Sequence, residues 1–346
     1  MGVYAITGGS GGIGLRVISQ LEKQGHETIN IDWKTGDIQA DLSIPEGRQK
    51  VIDELHELHP EGLDGLILCA GVPGSCHDLR LILSLNFFGT ISIIKGAYDL
   101  LEKKGGSCVA TVSNAISQGD LRMDLADILN NNNEDELRIL DLVSNLDEND
   151  LLTGNRLYVA SKYALARWVR RHSASYAANG VRINAVAPGN VNTSMTATMS
   201  VDEKTALNAL PIPTKYGKET LMEPDEIASA INFLISKEAR GVNGIIMFVD
   251  GGTDAFSIQK SILNMDQYFI ERKLSWNLLS RNISQLLKQK ILKPWQNYLP
   301  KTATTVITAP TAHPSTNFIY MEKKPFPCFS GISFSSVSIP YYRPRS

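Results

Sequence analysis

The eight residues Thr7–Gly14, TGGSGGIG, restrict the possible folds more than any other stretch of the chain. Five of them are glycines, too costly in conformational entropy for a helix or strand interior. They lie between a short apolar run, Val3–Thr7, and the helical pattern Gly12–Gln24. A strand that turns through glycines straight into a helix leaves free N–H groups and a partial positive charge where backbone can approach an anion closely. Thr7, Gly8, Ser10, Gly11, Gly12, Ile13 and Gly14 are therefore candidate contacts to the pyrophosphate of a dinucleotide. Asp32 closes the next strand, 18 residues beyond Gly14. A carboxylate there accepts hydrogen bonds from both adenosine ribose hydroxyls and repels a 2′-phosphate, which favours NAD over NADP. Lys34 and Arg16 are nearby cations that would soften the choice, and a merely solvated strand-end Asp is the alternative.

The same alternation continues along the chain. Strands are expected at Val3–Thr7, Glu27–Asp32, Asp64–Ala70, Ser107–Ser113, Arg182–Ala187 and Gly244–Val249. Helices are expected at Gly12–Gln24, Arg48–His59, Leu79–Leu101, Leu157–Asn179 and Pro224–Ser236. This rhythm predicts an α/β fold, a single doubly wound parallel sheet covered by helices on both faces, with ligands beyond the carboxyl ends of the strands. Residues 118–152 interrupt it with ten Asp and Glu against two Arg, and read as an insertion holding two short amphipathic helices, Leu121–Leu129 and Glu136–Leu146.

Charge divides the chain. Residues 1–258 carry 22 Lys and Arg against 33 Asp and Glu, whereas 259–346 carry 12 against 3. The first part is the expected catalytic domain; the second is a basic tail, helical over Ile262–Ile291 and disordered beyond Pro300. The tail suits an anionic membrane surface or an acidic partner, with a nonfunctional extension as the plainer reading. Nothing in it carries a nucleic-acid motif. Cys69, Cys76, Cys108 and Cys328 show no metal spacing, and Cys69 and Cys108 read as buried free thiols. With no signal peptide and no apolar run of about 18 residues, the cytoplasm is the default.

Tyr158 and Lys162 stand four residues apart, on one face of a helix. A free tyrosine is about 0.1% phenolate at pH 7, and a cation that lowers its pKa by about two units contributes about 2.7 kcal/mol. Such a phenol can take a proton from an alcohol or give one to a ketone.

Taken in order, these residues resemble the classical short-chain dehydrogenase/reductase family. Thr7-Gly8-x-x-x-Gly12-x-Gly14 is similar to its cofactor motif and Tyr158-x-x-x-Lys162 to its catalytic motif. Leu68-Cys69-Ala70-Gly71 resembles its Asn-Asn-Ala-Gly strand end with both asparagines replaced. Asp41-Leu42 resembles the pair that flanks the adenine, and Asn86 the helix asparagine of the proton relay. Ser113 stands where the catalytic serine is expected, Pro188–Thr193 resembles the segment that holds the carboxamide, and Asp250-Gly251-Gly252 the turn after the last strand. IDWKTGDIQADLSIPEGR, DGLILCAGVPG and the insertion resemble the bacterial 3α-hydroxysteroid dehydrogenase/carbonyl reductase subgroup.

The resemblance implies a Rossmann-type fold over residues 1–258, NAD as cofactor, and an alcohol or ketone as substrate, plausible as a 3α-hydroxysteroid. It implies Tyr158 as general acid/base, Lys162 lowering its pKa and holding the nicotinamide ribose, and Ser113 binding the substrate oxygen. Asn86 would anchor a water that links Lys162 to solvent. Asn114 is polar enough to substitute for Ser113. Gly71, Val191 and Thr193 complete the cofactor contacts. The lid is expected over 190–222, with Met195, Met199, Leu207, Leu210, Ile212 and Tyr216 lining a bulky apolar ligand or simply packing the lid down. A carbonyl reductase for non-steroid substrates and a non-catalytic NAD-binding regulatory protein are the competing readings. Ser113 and Tyr158 are 45 positions apart, more than in compact family members, so the insertion lies near the helix commonly used for dimer contacts. A homo-oligomer built through another surface is expected, which a monomer in light scattering at micromolar concentration would contradict.

Overall fold

Strand residues whose neighbours alternate between two buried clusters need cover on both sides. In the computed structural model, which describes residues 1–117, 122–131, 136–144, 146, 151–197, 212–215 and 221–257, that is what the strands receive. The described strands are β1 (Val3–Thr7), β2 (Glu27–Asp32), β3 (Ile38–Gln39), β4 (Gly65–Leu68), β5 (Ser107–Thr111), β6 (Arg182–Pro188) and β7 (Ile246–Val249). They form one parallel sheet in the order β3-β2-β1-β4-β5-β6-β7. The order reverses between β1 and β4, the place where such sheets hold ligands. Ala5, Leu66, Leu68, Cys108 and Ala110 enter one core cluster, whereas Tyr4, Ile6, Ile67 and Val109 enter the other. This period of two is the signature of a strand buried on both faces.

One face is covered by α1 (Gly12–Lys23) and by Pro224–Ile235, α10 in chain order, which pack against each other through Val17, Leu21, Ile227 and Ile231. The other carries α2 (Pro45–Leu58), α3 (Leu79–Leu83), α4 (Thr90–Gly96), α5 (Tyr98–Lys104) and the 28-residue α8 (Leu151–Ala178). The two helices expected within the insertion are present as α6 (Met123–Asn131) and α7 (Glu136–Val143). They turn Ala126, Leu129, Ile139, Leu140 and Val143 into the larger core. A short α9 (Ser194–Ala197) follows β6.

Three expectations are corrected. Leu79–Leu101 is not one continuous helix: a π-helical turn, Ser84–Gly89, separates α3 from α4, and α5 begins anew at Tyr98. A π turn inserts an extra residue and re-aims the side chains on it, and such turns concentrate at functional sites. The helix that carries Tyr158 and Lys162 begins at Leu151, inside the span assigned to the insertion. The stretch Leu79–Gly96 does reach the length and composition of a membrane span, with mean hydropathy 1.3 over 18 residues, but 67% of it is buried inside the fold as core. Cys69, Cys76 and Cys108 are all free; Cys108 is buried, and although the Cys69 residue is partly exposed, burial pushes its thiol up to about 11, as expected of a buried thiol. The chain divides into Met1–Asn264 and Met265–Ser346. The basic tail and its expected helix lie outside the described residues.

The start of α8 is fixed by backbone rather than side chains. A Cβ on Gly154 would stand 2.2 Å from the carbonyl oxygen of Gly74, and one on Gly74 would stand 2.7 Å from Asn155 Cα. Alanine is the better helix former by about 1 kcal/mol. Gly154→Ala is nevertheless expected to destabilise by about 1–3 kcal/mol, the usual cost of overpacking. A lower urea midpoint checks this, and a raised one would refute the close packing.

Candidate active site

The glycine loop follows β1 because only bare backbone fits there. A Cβ on Gly14 would lie 2.3 Å from Gly8 O, and Gly8, at φ +71°, would place one 2.8 Å from Ala70 N. Thr7 is buried and its hydroxyl accepts from Ala70 N–H at 3.3 Å, tying the ends of β1 and β4 together. Gly11 differs, since a Cβ there would meet no atom of the described residues within 4 Å and its φ of -156° suits any residue. Neither packing nor backbone explains that glycine, but open space reserved above a helix N-terminus does. Across that space, Thr193 comes close enough to Gly12 that a Cβ on the glycine would stand 3.2 Å from its methyl. Ile13 is partly buried and packs against the α1 side of the core.

Asp32 ends β2 with its carboxylate oriented by two backbone donors, Ser10 N–H at 3.3 Å and Lys34 N–H at 3.2 Å. The Ser10 hydroxyl donates to Thr35 O and accepts from Asn30 Nδ2 at 3.1 Å. The cations expected to soften a preference for NAD are otherwise engaged. The Lys34 ammonium sits 4.5 Å from the centroid of the Trp33 ring, and Arg16 pairs with Asp225 at 3.4 Å. Asp41 is exposed and accepts from Ser43 N–H at 2.8 Å, while Leu42 is buried.

At the carboxyl ends of β4 and β5 the fold brings Gly71, Asn86, Ser113, Tyr158 and Lys162 together. The Ser113 side chain stands close enough to the Tyr158 phenol to lower its pKa, but burial outweighs that influence and raises it. Lys162 is 5% exposed. Desolvation lowers its ammonium to about 8, and it donates to Thr111 O at 3.0 Å. The ammonium lies 5.9 Å from the Tyr158 ring centroid. In this conformation the carbonyl of Thr111, not the phenol, receives the cation, so the expected acidification of Tyr158 by Lys162 is not expressed here. A Cβ on Gly71 would stand 2.9 Å from Asn86 Oδ1 and 3.5 Å from Lys162 Nζ, so glycine is what allows these groups to converge.

The side-chain amide of Asn86 clamps the backbone of Val72: it accepts from Val72 N–H and donates to Val72 O, both at 2.9 Å. One further assignment changes. Asn114 cannot stand in for Ser113, because it is 5% exposed and donates to Asp250 Oδ2 at 3.2 Å. That buried carboxylate also accepts from Asp254 N–H and Gly252 N–H, closing the turn after β7. Val191 is buried and forms a backbone bridge with Met222. Of the lid candidates, Ile212 is buried against Gly251 as packing and Met195 is partly exposed; Met199, Leu207, Leu210 and Tyr216 lie outside the described residues. Thr111 and Arg48 have structural roles that sequence reasoning missed, since neither belongs to a motif nor stands out by spacing.

Comparison with known proteins decides the family. The short chain dehydrogenase family model matches residues 3–123, and the enoyl-(acyl carrier protein) reductase model matches residues 137–254. The chain is 33% identical to the 3-alpha-hydroxysteroid dehydrogenase/carbonyl reductase of Comamonas testosteroni, over 74% of the chain and 97% of that protein. It belongs to the short-chain dehydrogenase/reductase family. It is 30% identical to the coniferyl-alcohol dehydrogenase of a Pseudomonas species, over 71% and 94%. Among solved structures it resembles the 3-alpha-hydroxysteroid dehydrogenase of Pseudomonas sp. B-0831 complexed with NADH. The TM-score is 0.63 at 32% identity, covering 73% of the chain and 97% of that one. The short-chain dehydrogenase/reductase is thus an oxidoreductase acting on an alcohol or a ketone.

Proposed function

We propose that this oxidoreductase uses NAD to interconvert a secondary alcohol and a ketone, with hydroxysteroids as its substrate class. One observation carries the reading: Ser113 stands close enough to the Tyr158 phenol to act on its pKa, and the Lys162 ammonium lies 5.9 Å from the same ring, at the carboxyl edge of the sheet. The residues fit the cofactor. The glycine loop leaves room over Gly11 for a pyrophosphate, and Asp32 stands at the end of β2 where it would accept from ribose hydroxyls and repel a 2′-phosphate.

When bound, the dinucleotide supplies the hydride acceptor or donor. The protein holds the substrate oxygen and moves a proton at Tyr158 Oη. Ser113 donates to that oxygen and favours its developing charge. A phenol is protonated at neutral pH and burial pushes its pKa further up, so Tyr158 in this conformation is an acid ready to protonate the oxygen of a ketone. In the oxidative direction it must first lose its proton, so alcohol oxidation rises with pH. Lys162 would leave Thr111 O to hold the nicotinamide ribose. Asn86 holds Val72, and with it the strand end at Gly71, in place.

Support for a steroid comes from the relatives in Comamonas and Pseudomonas, whose names contain it. The test is NADH absorbance with purified protein against 3-hydroxysteroids, the corresponding ketones and small non-steroid carbonyls, with NADP(H) in parallel. Turnover of 3-hydroxysteroids with NAD above the other combinations is the expected result. Turnover of small carbonyls alone would move the assignment to a non-steroid carbonyl reductase, and preference for NADP would remove the role given to Asp32.

A further inference from the structure

Arg48 is a cation buried in the fold, with its side chain 5% exposed. Its guanidinium joins three segments distant in sequence. Nε donates to Leu42 O at 2.8 Å, and Nη2 to Ser43 O and to Ser84 O, each at 2.9 Å. Nη1 and Nη2 meet Glu136 Oε2 and Oε1 at 2.5 and 2.7 Å, a bidentate pair with the first residue of α7. Backbone packs tightly around this junction. A Cβ on Gly89, at the end of the π turn, would stand 2.6 Å from Leu42 O, and one on Gly47 would stand 1.9 Å from Asp41 O.

We propose that Glu136 is a positioning residue for the adenosine half of the dinucleotide, acting through Arg48 on the Asp41–Leu42–Ser43 turn. The inference rests on the NAD reading above, in which Asp41 and Leu42 flank the adenine. The physical argument is one of charge and direction. Backbone carbonyls offer a buried guanidinium only partial charge, and Glu136 supplies the full compensating one. A planar fork held bidentately has a fixed direction, so the carbonyls it binds at Leu42 and Ser43 are fixed with it. Without the carboxylate, Arg48 is drawn towards water and its hold on Leu42 O and Ser43 O is lost. The turn must then be ordered when ligand binds, and that ordering weakens affinity for the part of the ligand it touches. The insertion thereby gains a role in cofactor binding, although it lies between β5 and α8, away from the sequence of the cofactor motifs.

Full-length wild type, Glu136→Gln, Glu136→Ala and Glu136→Asp are compared in titrations with ADP-ribose, nicotinamide mononucleotide and NADH, and in steady-state kinetics. Glu136→Ala is expected to raise the Kd for ADP-ribose and the KM for NAD about tenfold, or about 1.4 kcal/mol. Binding of nicotinamide mononucleotide and kcat at saturating NAD stay within about twofold. Glu136→Gln falls between, and Glu136→Asp restores most of the affinity because the charge returns. Ile139→Ala, a buried neighbour on α7 with no part in the ion pair, loosens the insertion without touching Arg48 and is expected to leave ADP-ribose binding unchanged. Unchanged ADP-ribose affinity in Glu136→Ala, or an equal loss in Ile139→Ala, would overturn the proposal. Wild type that binds neither ADP-ribose nor NADH would instead remove the cofactor reading, and this inference with it.

Discussion

Tyr158→Phe is expected to lower kcat by at least about 10²–10⁴-fold, the range that positioned acid–base groups supply, while the Kd for NADH changes by less than about twofold. The substitution removes one oxygen from a partly exposed ring and leaves its packing in place. It leaves the Ser113 hydroxyl bonded to the backbone N–H of Ala115 at 3.2 Å. Stopped-flow measurement of single-turnover ketone reduction, beside an NADH fluorescence titration, separates the two effects. Equal loss of binding and turnover would mean that the phenol organises the cofactor pocket and is not the proton donor.

Lys162→Met should cost as much activity and yet make the protein more stable at pH 7. The folded-state ammonium titrates at about 8 against its ordinary 10.5, with burial as the largest cause. Below pH 8 the folded protein carries a desolvated charge that the unfolded chain solvates freely. Between about 8 and 10.5 the unfolded chain binds the proton more readily, so wild-type stability rises with pH across that window. The penalty at pH 7 is on the order of 3 kcal/mol, and the loss of the bond to Thr111 O offsets part of it, leaving a net gain on the order of 1 kcal/mol. Urea unfolding of both proteins at pH 7 and pH 10 is the check. The advantage of the variant should shrink or reverse at the higher pH, and a pH-independent difference would show that Lys162 is not held as an uncomfortable cation. A functional group kept at the expense of stability is what a site for proton transfer requires.

The two predictions concern residues four apart on one helix, which is why their pairing was readable from sequence. The fold was readable for a similar reason. Val3–Thr7 and the glycines after it form a contiguous strand–turn–helix, and the buried strands Gly65–Leu68 and Ser107–Thr111 are built around the short apolar runs Leu66–Leu68 and Cys108–Ala110. Asp32 follows at the end of its strand, and the helices Met123–Asn131 and Glu136–Val143 show their own apolar stripes. Each of these signals fits inside a dozen residues, so local propensity and periodicity suffice to express it. The π turn at Ser84–Gly89 was not visible, because an apolar helix with one extra residue per turn has the same composition as one without it.

What the amino-acid order determined by itself is therefore the doubly wound sheet, the glycine loop, the acid at the end of β2 and the tyrosine–lysine pair. Only the tertiary structure decided where the polar groups of the site spend their hydrogen bonds. It turned the amide of Asn86 onto Val72, drew Asn114 away to Asp250, aimed Lys162 at Thr111, and joined Arg48 to Glu136 across 88 positions of sequence. A buried donor or charge must find a partner wherever the packed backbone brings one, and that partner is chosen by distance in space, which no short-range pattern encodes.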